Sequence, residues 1–157
     1  MQKAGFALAA AIFMLDRATK WWVLGPFDLA AKGDVALLPF FNLTLVWNRG
    51  ISLGLFPMAS EAGRFFLIAL TAAISAFVAA WLWRAERLYA ALALGLVLGG
   101  AVGNIWDRAA YGAVADFLHF HAFGLSFYIF NVADAAITAG VAVLLFDALL
   151  LRKKPNT

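Results

Sequence analysis

Two stretches, Phe65–Trp83 and Leu88–Trp106, run without a single charge and are separated only by Arg84 to Arg87. Each is about the length that a transmembrane helix needs, roughly 20 apolar residues. A soluble domain is about 45–50% apolar and about 25% charged, whereas this chain of 157 residues is 65% hydrophobic and 13% charged, with a mean hydropathy of +0.88. The reading is an all-α polytopic membrane protein forming one small domain over residues 1–157.

Two further spans complete the expectation, at about 4–24 and 127–151. In the first, the apolar run stops at Leu15 and Asp16-Arg17 follows. Lys3 and the run Ala4 to Leu15 also resemble a signal peptide, but Asp16-Arg17-Ala18-Thr19-Lys20 stands where small residues should prepare a cleavage site. A spanning segment is therefore preferred. The last span contains Asp134 and Asp147.

Lys and Arg in short loops orient such a chain. If all four spans cross, Lys3, Arg84, Arg87 and the tail residues Arg152, Lys153 and Lys154 share one side. Lys32, Arg49 and Arg64 lie on the other, offset by Asp28, Asp34 and Glu61. Both termini are thus expected in the cytoplasm. The formal charge of +3 reads as orientation, with no nucleic-acid partner implied.

The outer loop at about 25–64 contains Phe40 to Trp47, rich in β-formers, and is punctuated by Pro26, Gly33, Pro39, Gly50, Gly54 and Pro57. A small sheet on the membrane surface is expected there. The second outer segment, about 107–126, mixes Phe117, Leu118, Phe120 and Phe123 with Asp116, His119 and His121, and reads as interfacial. Gly95, Gly99 and Gly103 recur every four residues on the third span, a strip for close helix packing.

With this topology the polar residues converge on the outer face. Asp16 and Lys20 share a helix face. Asn104, Asp107 and Arg108 end the third span, Asn131 and Asp134 begin the fourth, and Asn48 and Asp116 come from the loops. Ionisable groups in a membrane cost about 2.5–3.5 kcal/mol each at mid-span, so they point by default to function. Structural roles stay open: Asp16 with Lys20 as an ion pair, Arg108 either paired with Asp107 or holding a helix end, and Asp147 as an interfacial residue near Arg152 at the cytoplasmic end. Asp134 has no basic neighbour on its own span. If Asp116 and Asp134 meet, they form an acid pair that shares a proton, one carboxylate acting as base and the other as acid. Spacing alone does not bring them together.

Other chemistries fit less well. The absence of cysteine excludes disulfides, thiolate metal sites and a Cys nucleophile. His119 and His121 with Asp116 are a weak metal set, so no metal is expected. Ser52, Ser60, Ser75 and Ser126 lack a nucleophile-elbow context. No phosphate-binding glycine loop occurs, and no cofactor is expected.

Four separated motifs resemble those of the lipoprotein signal peptidase (signal peptidase II) family of bacterial membrane aspartic proteases. They are Asp16-Arg17-Ala18-Thr19-Lys20; Phe41-Asn42-Leu43 through Asn48-Arg49-Gly50, then Gly54; Gly103-Asn104-Ile105-Trp106-Asp107-Arg108, then Gly112, Val114 and Asp116-Phe117; and Phe130-Asn131-Val132-Ala133-Asp134, then Gly140. The resemblance implies removal of signal peptides from prolipoproteins, just before a diacylglyceryl-modified cysteine. It implies Asp116 and Asp134 as catalytic residues, with Asp16, Lys20, Asn48, Gly50, Asn104, Arg108, Asn131 and Ala133 lining the site. It further implies four transmembrane helices, a small β-rich cradle in the first outer loop, a short amphipathic outer helix before the last span, a place in the bacterial inner membrane with the site toward its outer face, contact with membrane lipid, and sensitivity to the cyclic peptide globomycin. Ile51-Ser52-Leu53 departs from the small-then-aromatic pattern expected after Gly50. The rival readings are a small transporter or channel subunit with Asp134 as an ion site, and a non-enzymatic scaffold.

Overall fold

A computed structural model describes residues 1–50 and 61–151. Gly54, Ile51-Ser52-Leu53 and the basic tail Arg152 to Lys154 lie outside the described residues. In chain order the elements are α1 (Gln2–Leu24), α2 (Leu29–Lys32), β1 (Val35–Leu38), β2 (Phe41–Asn48), α3 (Glu61–Trp83), α4 (Leu88–Tyr111), β3 (Val114–Ala122), β4 (Leu125–Ser126) and α5 (Val132–Phe146), which runs on into a π-helical turn, Asp147–Leu151.

The protein is mostly helical, with a small antiparallel sheet ordered β1-β2-β3-β4. Among the described residues three helices are long and apolar enough to cross a membrane: α3, α4, and α5 with its continuation to Leu149. Large apolar side chains such as Phe65, Phe77, Trp83 and Leu145 lie exposed on their surfaces, as suits helices bathed in hydrocarbon. The fourth long helix, α1, carries Asp16, Arg17 and Lys20 in its second half.

Helix α4 sits between α1 and α5, and small residues permit the close approach. A Cβ added at Gly99 would lie 2.5 Å from the Ala9 carbonyl oxygen on α1, and one at Gly103 would lie 2.8 Å from Asp16 Oδ2. On its other side, Gly100 abuts the Ala133 carbonyl of α5. The glycine strip therefore does the packing expected of it. Val78, Leu82, Ala91, Leu94 and Val97 form one apolar core between α3 and α4. A second core of Val23, Leu29, Leu43 and Phe117 ties the sheet to the end of α1.

Two segments differ from expectation. The region 107–126 holds no separate outer helix among its described residues: α4 continues to Tyr111, Gly112 ends it in the left-handed conformation at φ +76°, and β3 follows. Period-two alternation and pairing along β2, from Phe41 opposite Phe120 to Asn48 opposite Val114, outweigh any helical tendency there. The last helix begins at Val132 rather than near Phe127. Phe130 bridges back to Leu118, and Asn131 caps the helix.

Candidate active site

Asn131 organises the site. As N-cap of α5, its side-chain oxygen accepts the Asp134 N–H at 2.9 Å, and Asp134 Oδ2 accepts the Asn131 N–H at 3.3 Å. This reciprocal capping box satisfies amides that the first helical turn leaves unpaired. It also places Asp134 in that first turn, where the helix dipole favours a carboxylate, and not partway along a longer span. The free amide of Asn131 donates to Asp116 Oδ1 at 2.6 Å and to Asn104 Oδ1 at 3.3 Å. Asn104, from α4, in turn donates to Asp134 Oδ1 at 2.7 Å.

Asn48 closes the other side. It ends β2 opposite Val114, two residues from Asp116 on the same face of the strand pair. Its amide donates to Asp116 Oδ2 at 3.1 Å and to the Tyr128 hydroxyl at 2.9 Å, while its oxygen accepts the Gly50 N–H at 3.1 Å. Each oxygen of the two carboxylates thus accepts one hydrogen bond, and Asn131 touches both acids. The two aspartates arrive from a strand and a helix start, and share one network.

Asp116 is 1% exposed. Burial, and then the charge of Asp134, push its carboxyl up to about 6, against the opposing hydrogen bonds from Asn48 and Asn131 and the charge of Lys20. The folded state therefore holds this proton more tightly than the unfolded chain. Its contribution to stability is complete below the unfolded value of 3.8 and is lost as pH rises through about 6. Thermal unfolding in detergent should show the midpoint falling between about pH 4 and about pH 6 and levelling off above that. In the Asp116→Asn variant, which cannot ionise there, this part of the fall should vanish. An identical pH dependence in both proteins would contradict the shift.

Asp16 and Lys20 do pair, at 3.0 Å, but within a larger cluster. Lys20 also lies 2.7 Å from Asp107, and Arg17 reaches Asp16 at 2.7 Å and Asp107 at 2.5 Å. Asp107 is thus paired with α1 and not with Arg108. Arg108 Nη1 donates to the Asn104 carbonyl at 3.5 Å, and its guanidinium lies in the field of Asp134 and Asp116. Ala133 is fully buried against α4. The structure adds Arg17, Asp107 and Tyr128 to the residues expected at the site. For Tyr128 the sequence carried no signal, because it stands in an aromatic run.

The histidines are engaged elsewhere. His119 hydrogen-bonds Ser126 at 2.7 Å and Thr44 at 3.4 Å, and His121 bonds Asn42 at 3.1 Å. Asp147 accepts from the Tyr89 hydroxyl at 2.6 Å and sits 3.6 Å from Arg87, far along the helices from Asp134.

Two grooves open at the acids. One, of about 510 Å³, is lined by Trp47, Asn48, Arg49, Gly50, Asp116 and Tyr128, among others. The second, of about 580 Å³, is lined by Tyr128, Phe130, Asp134, Ala135, Thr138 and Ala139, among others, and is almost wholly apolar. Tyr128 borders both.

Residues 8–150 match the family described as Signal peptidase (SPase) II. The chain is 52% identical over 143 residues to a lipoprotein signal peptidase of Methylobacterium sp. (strain 4-46), covering 91% of this chain and 87% of that protein. It is 44% identical over 153 residues to a lipoprotein signal peptidase of Methylocella silvestris, covering 98% and 90%. Among solved structures, one described as a bacterial membrane enzyme at 2.3 Å resolution superposes with a TM-score of 0.79 at 26% identity, covering 99% of this chain and 95% of that one. Another, at 1.9 Å, gives 0.81 at 26% identity, covering 94% of each.

Proposed function

The chain belongs to the signal peptidase II family, and from that membership and the geometry of the site we propose that it is a membrane aspartic endopeptidase acting on prolipoproteins. It removes their signal peptides, cutting just before the diacylglyceryl-modified cysteine. Asp116 and Asp134 are the catalytic pair. The observation that carries this reading is that Asn131 bonds both carboxylates at once, one through its side chain and one through its backbone.

The chemistry follows from two acids sharing a proton. The ionised carboxylate takes a proton from water as the water oxygen attacks the scissile carbonyl. The other carboxyl donates its proton to the carbonyl oxygen, giving a gem-diol; when the C–N bond breaks, the leaving amine takes the proton held by the first carboxyl, and the gem-diol returns a hydroxyl proton to the second, restoring the pair. Asn48, Asn104, Asn131 and Arg108 orient the carboxyls and the peptide. The two grooves suit a substrate with two characters. The more polar groove beside Asp116 takes the peptide, and the apolar one beside Asp134 takes the acyl chains at the cysteine. The cyclic peptide globomycin competes for the same place.

The protein lies in the bacterial inner membrane as a single domain, with α1, α3, α4 and α5 crossing and both termini cytoplasmic. The site faces the outer leaflet. Support comes from Arg84 and Arg87 between α3 and α4, at the end of the bundle away from the sheet. The buried charges Asp16, Arg17 and Lys20 of α1 are neutralised together with Asp107 of α4, which removes the main objection to the crossing of α1. A transporter finds no support in the described residues, since Asp134 is bound into a network at one end of α5.

The test uses purified protein in proteoliposomes with a prolipoprotein carrying or lacking diacylglycerol on its cysteine. Mass spectrometry should find cleavage before the cysteine of the lipidated form only, blocked by globomycin. Failure to cut either form would overturn the proposal, and equal cutting of both would remove its lipid-dependent part.

A further inference from the structure

The four-residue charge cluster beneath the site grips both catalytic segments by the backbone. Asp16 Oδ1 accepts the N–H of Ala133, the residue before Asp134, at 3.2 Å. Asp107 Oδ2 accepts the N–H of Ala115, the residue before Asp116, also at 3.2 Å. The two carboxylates come from different helices, α1 and α4. Arg17 bridges them at 2.7 and 2.5 Å, and Lys20 bridges them at 3.0 and 2.7 Å. Asp16, Asp107 and Lys20 are at most 1% exposed. Gly103 makes the joint possible, since any Cβ there would collide with Asp16.

From this we infer that Asp16, Arg17, Lys20 and Asp107 form a positioning clamp that sets the separation and orientation of Asp116 and Asp134. The inference rests on those two aspartates being the reacting pair. Its chemistry is economical: two acids and two bases sum to zero charge, so the cluster needs no counter-ion in the membrane. Buried ion networks add little net stability compared with apolar packing, but breaking one leaves a charge buried without its partner, so the arrangement is hard to loosen. Here the geometry is transmitted through amides one peptide unit from each reacting side chain. Arg17 reaches both carboxylates through Nη2, and its rigid planar guanidinium fixes that placement more firmly than the freely rotating ammonium of a lysine at that position.

A clamp and a mere structural ion cluster differ in what they move. Loosening a clamp lets the acids separate, so kcat falls while KM for lipidated substrate stays. The charge of Asp134 then weighs less on Asp116, whose other facing groups are Lys20, Asn48, Asn131 and the Arg108 guanidinium, and the limb of the pH–rate profile near 6 moves to lower pH.

Asp107→Ala and the milder Arg17→Lys should each show this, with kcat reduced by up to about 10²-fold for Asp107→Ala and less for Arg17→Lys. Asp107→Asn, which keeps a carbonyl oxygen for the Ala115 N–H, should recover part of the loss. If Asp107→Ala does not fold, Arg17→Lys carries the test alone. Folded variants with wild-type kcat and an unmoved pH limb would overturn the clamp. If Asp116→Asn and Asp134→Asn also stay fully active, the reading of the catalytic pair has failed. If those two are dead while the cluster variants are normal, only the clamp has failed.

Discussion

Asp116→Asn and Asp134→Asn should each lower cleavage of a lipidated prolipoprotein by about 10⁴-fold, the upper range for losing a general acid or base. The substitution preserves shape and removes the chemistry. A carboxamide neither takes a proton from water nor returns one to the leaving amine. The surroundings make the change felt in a second way. Both oxygens of Asp116 accept from amide groups, those of Asn131 and Asn48. Both oxygens of Asp134 accept likewise, from Asn104 and the Asn131 backbone. An Asn at either position must turn its own NH₂ toward one of these donors. One hydrogen bond is therefore lost in each variant, a cost of about 1–3 kcal/mol. Folding must be followed alongside activity, by thermal unfolding in the same detergent. Folded variants that both cleave at the wild-type rate would end the dyad mechanism. An inactive pair with intact folds leaves the two acids as the reacting groups.

What the sequence made legible, and what it hid, follows from the range of the forces involved. The charge-free runs that became α3 and α4 were unmistakable, because hydropathy over 19 residues is a local sum. β2 was placed within one residue, at Phe41–Asn48 instead of Phe40–Trp47, since β-branched and aromatic side chains mark it locally. The start of α5 was misplaced because Phe127 to Phe130 are as apolar as the helix itself. Only the pairing of Phe130 with Leu118 and the cap at Asn131 separate them, and pairing is not local. The capping box was nonetheless written in the chain, as Asn131 with Asp134 three positions on.

The strand β3 was hidden by analogy and not by physics. The expected outer helix at 107–126 came from the family resemblance, while the alternation of Phe117, His119 and His121 already favoured an extended segment. The site itself was half legible. Motif order named Asp116, Asp134 and the three asparagines, but nothing in the spacing stated that one asparagine would bridge both acids. Arg17 and Asp107 are neighbours in space across more than 80 residues of chain. Asp107 instead sits beside Arg108 in sequence, and that nearer basic residue was the natural but incorrect partner.

Asn131 is where stability and catalysis meet, and two substitutions separate them. Asn131→Ala removes the N-cap of α5, costing about 0.5–2 kcal/mol, and deletes the donor to Asp116. Asn131→Ser restores a capping oxygen but offers no amide to reach Asp116 and Asn104. The thermal midpoint should therefore fall for the Ala variant and largely recover for the Ser variant. Activity should not recover: both should lose about 10²–10³-fold in kcat, the scale for removing one preorganised donor from a reacting centre. The pH profile gives an independent sign. The Asn131 amide favours the ionised form of Asp116, so its loss should move the limb near 6 to higher pH in both variants. This shift is opposite to the one expected from loosening the charge cluster. The two effects are distinguishable because one removes a hydrogen bond to Asp116 while the other removes the repulsion of Asp134. If Asn131→Ser regains both midpoint and kcat, Asn131 is only a helix cap, and its amide plays no part in coupling the two aspartates.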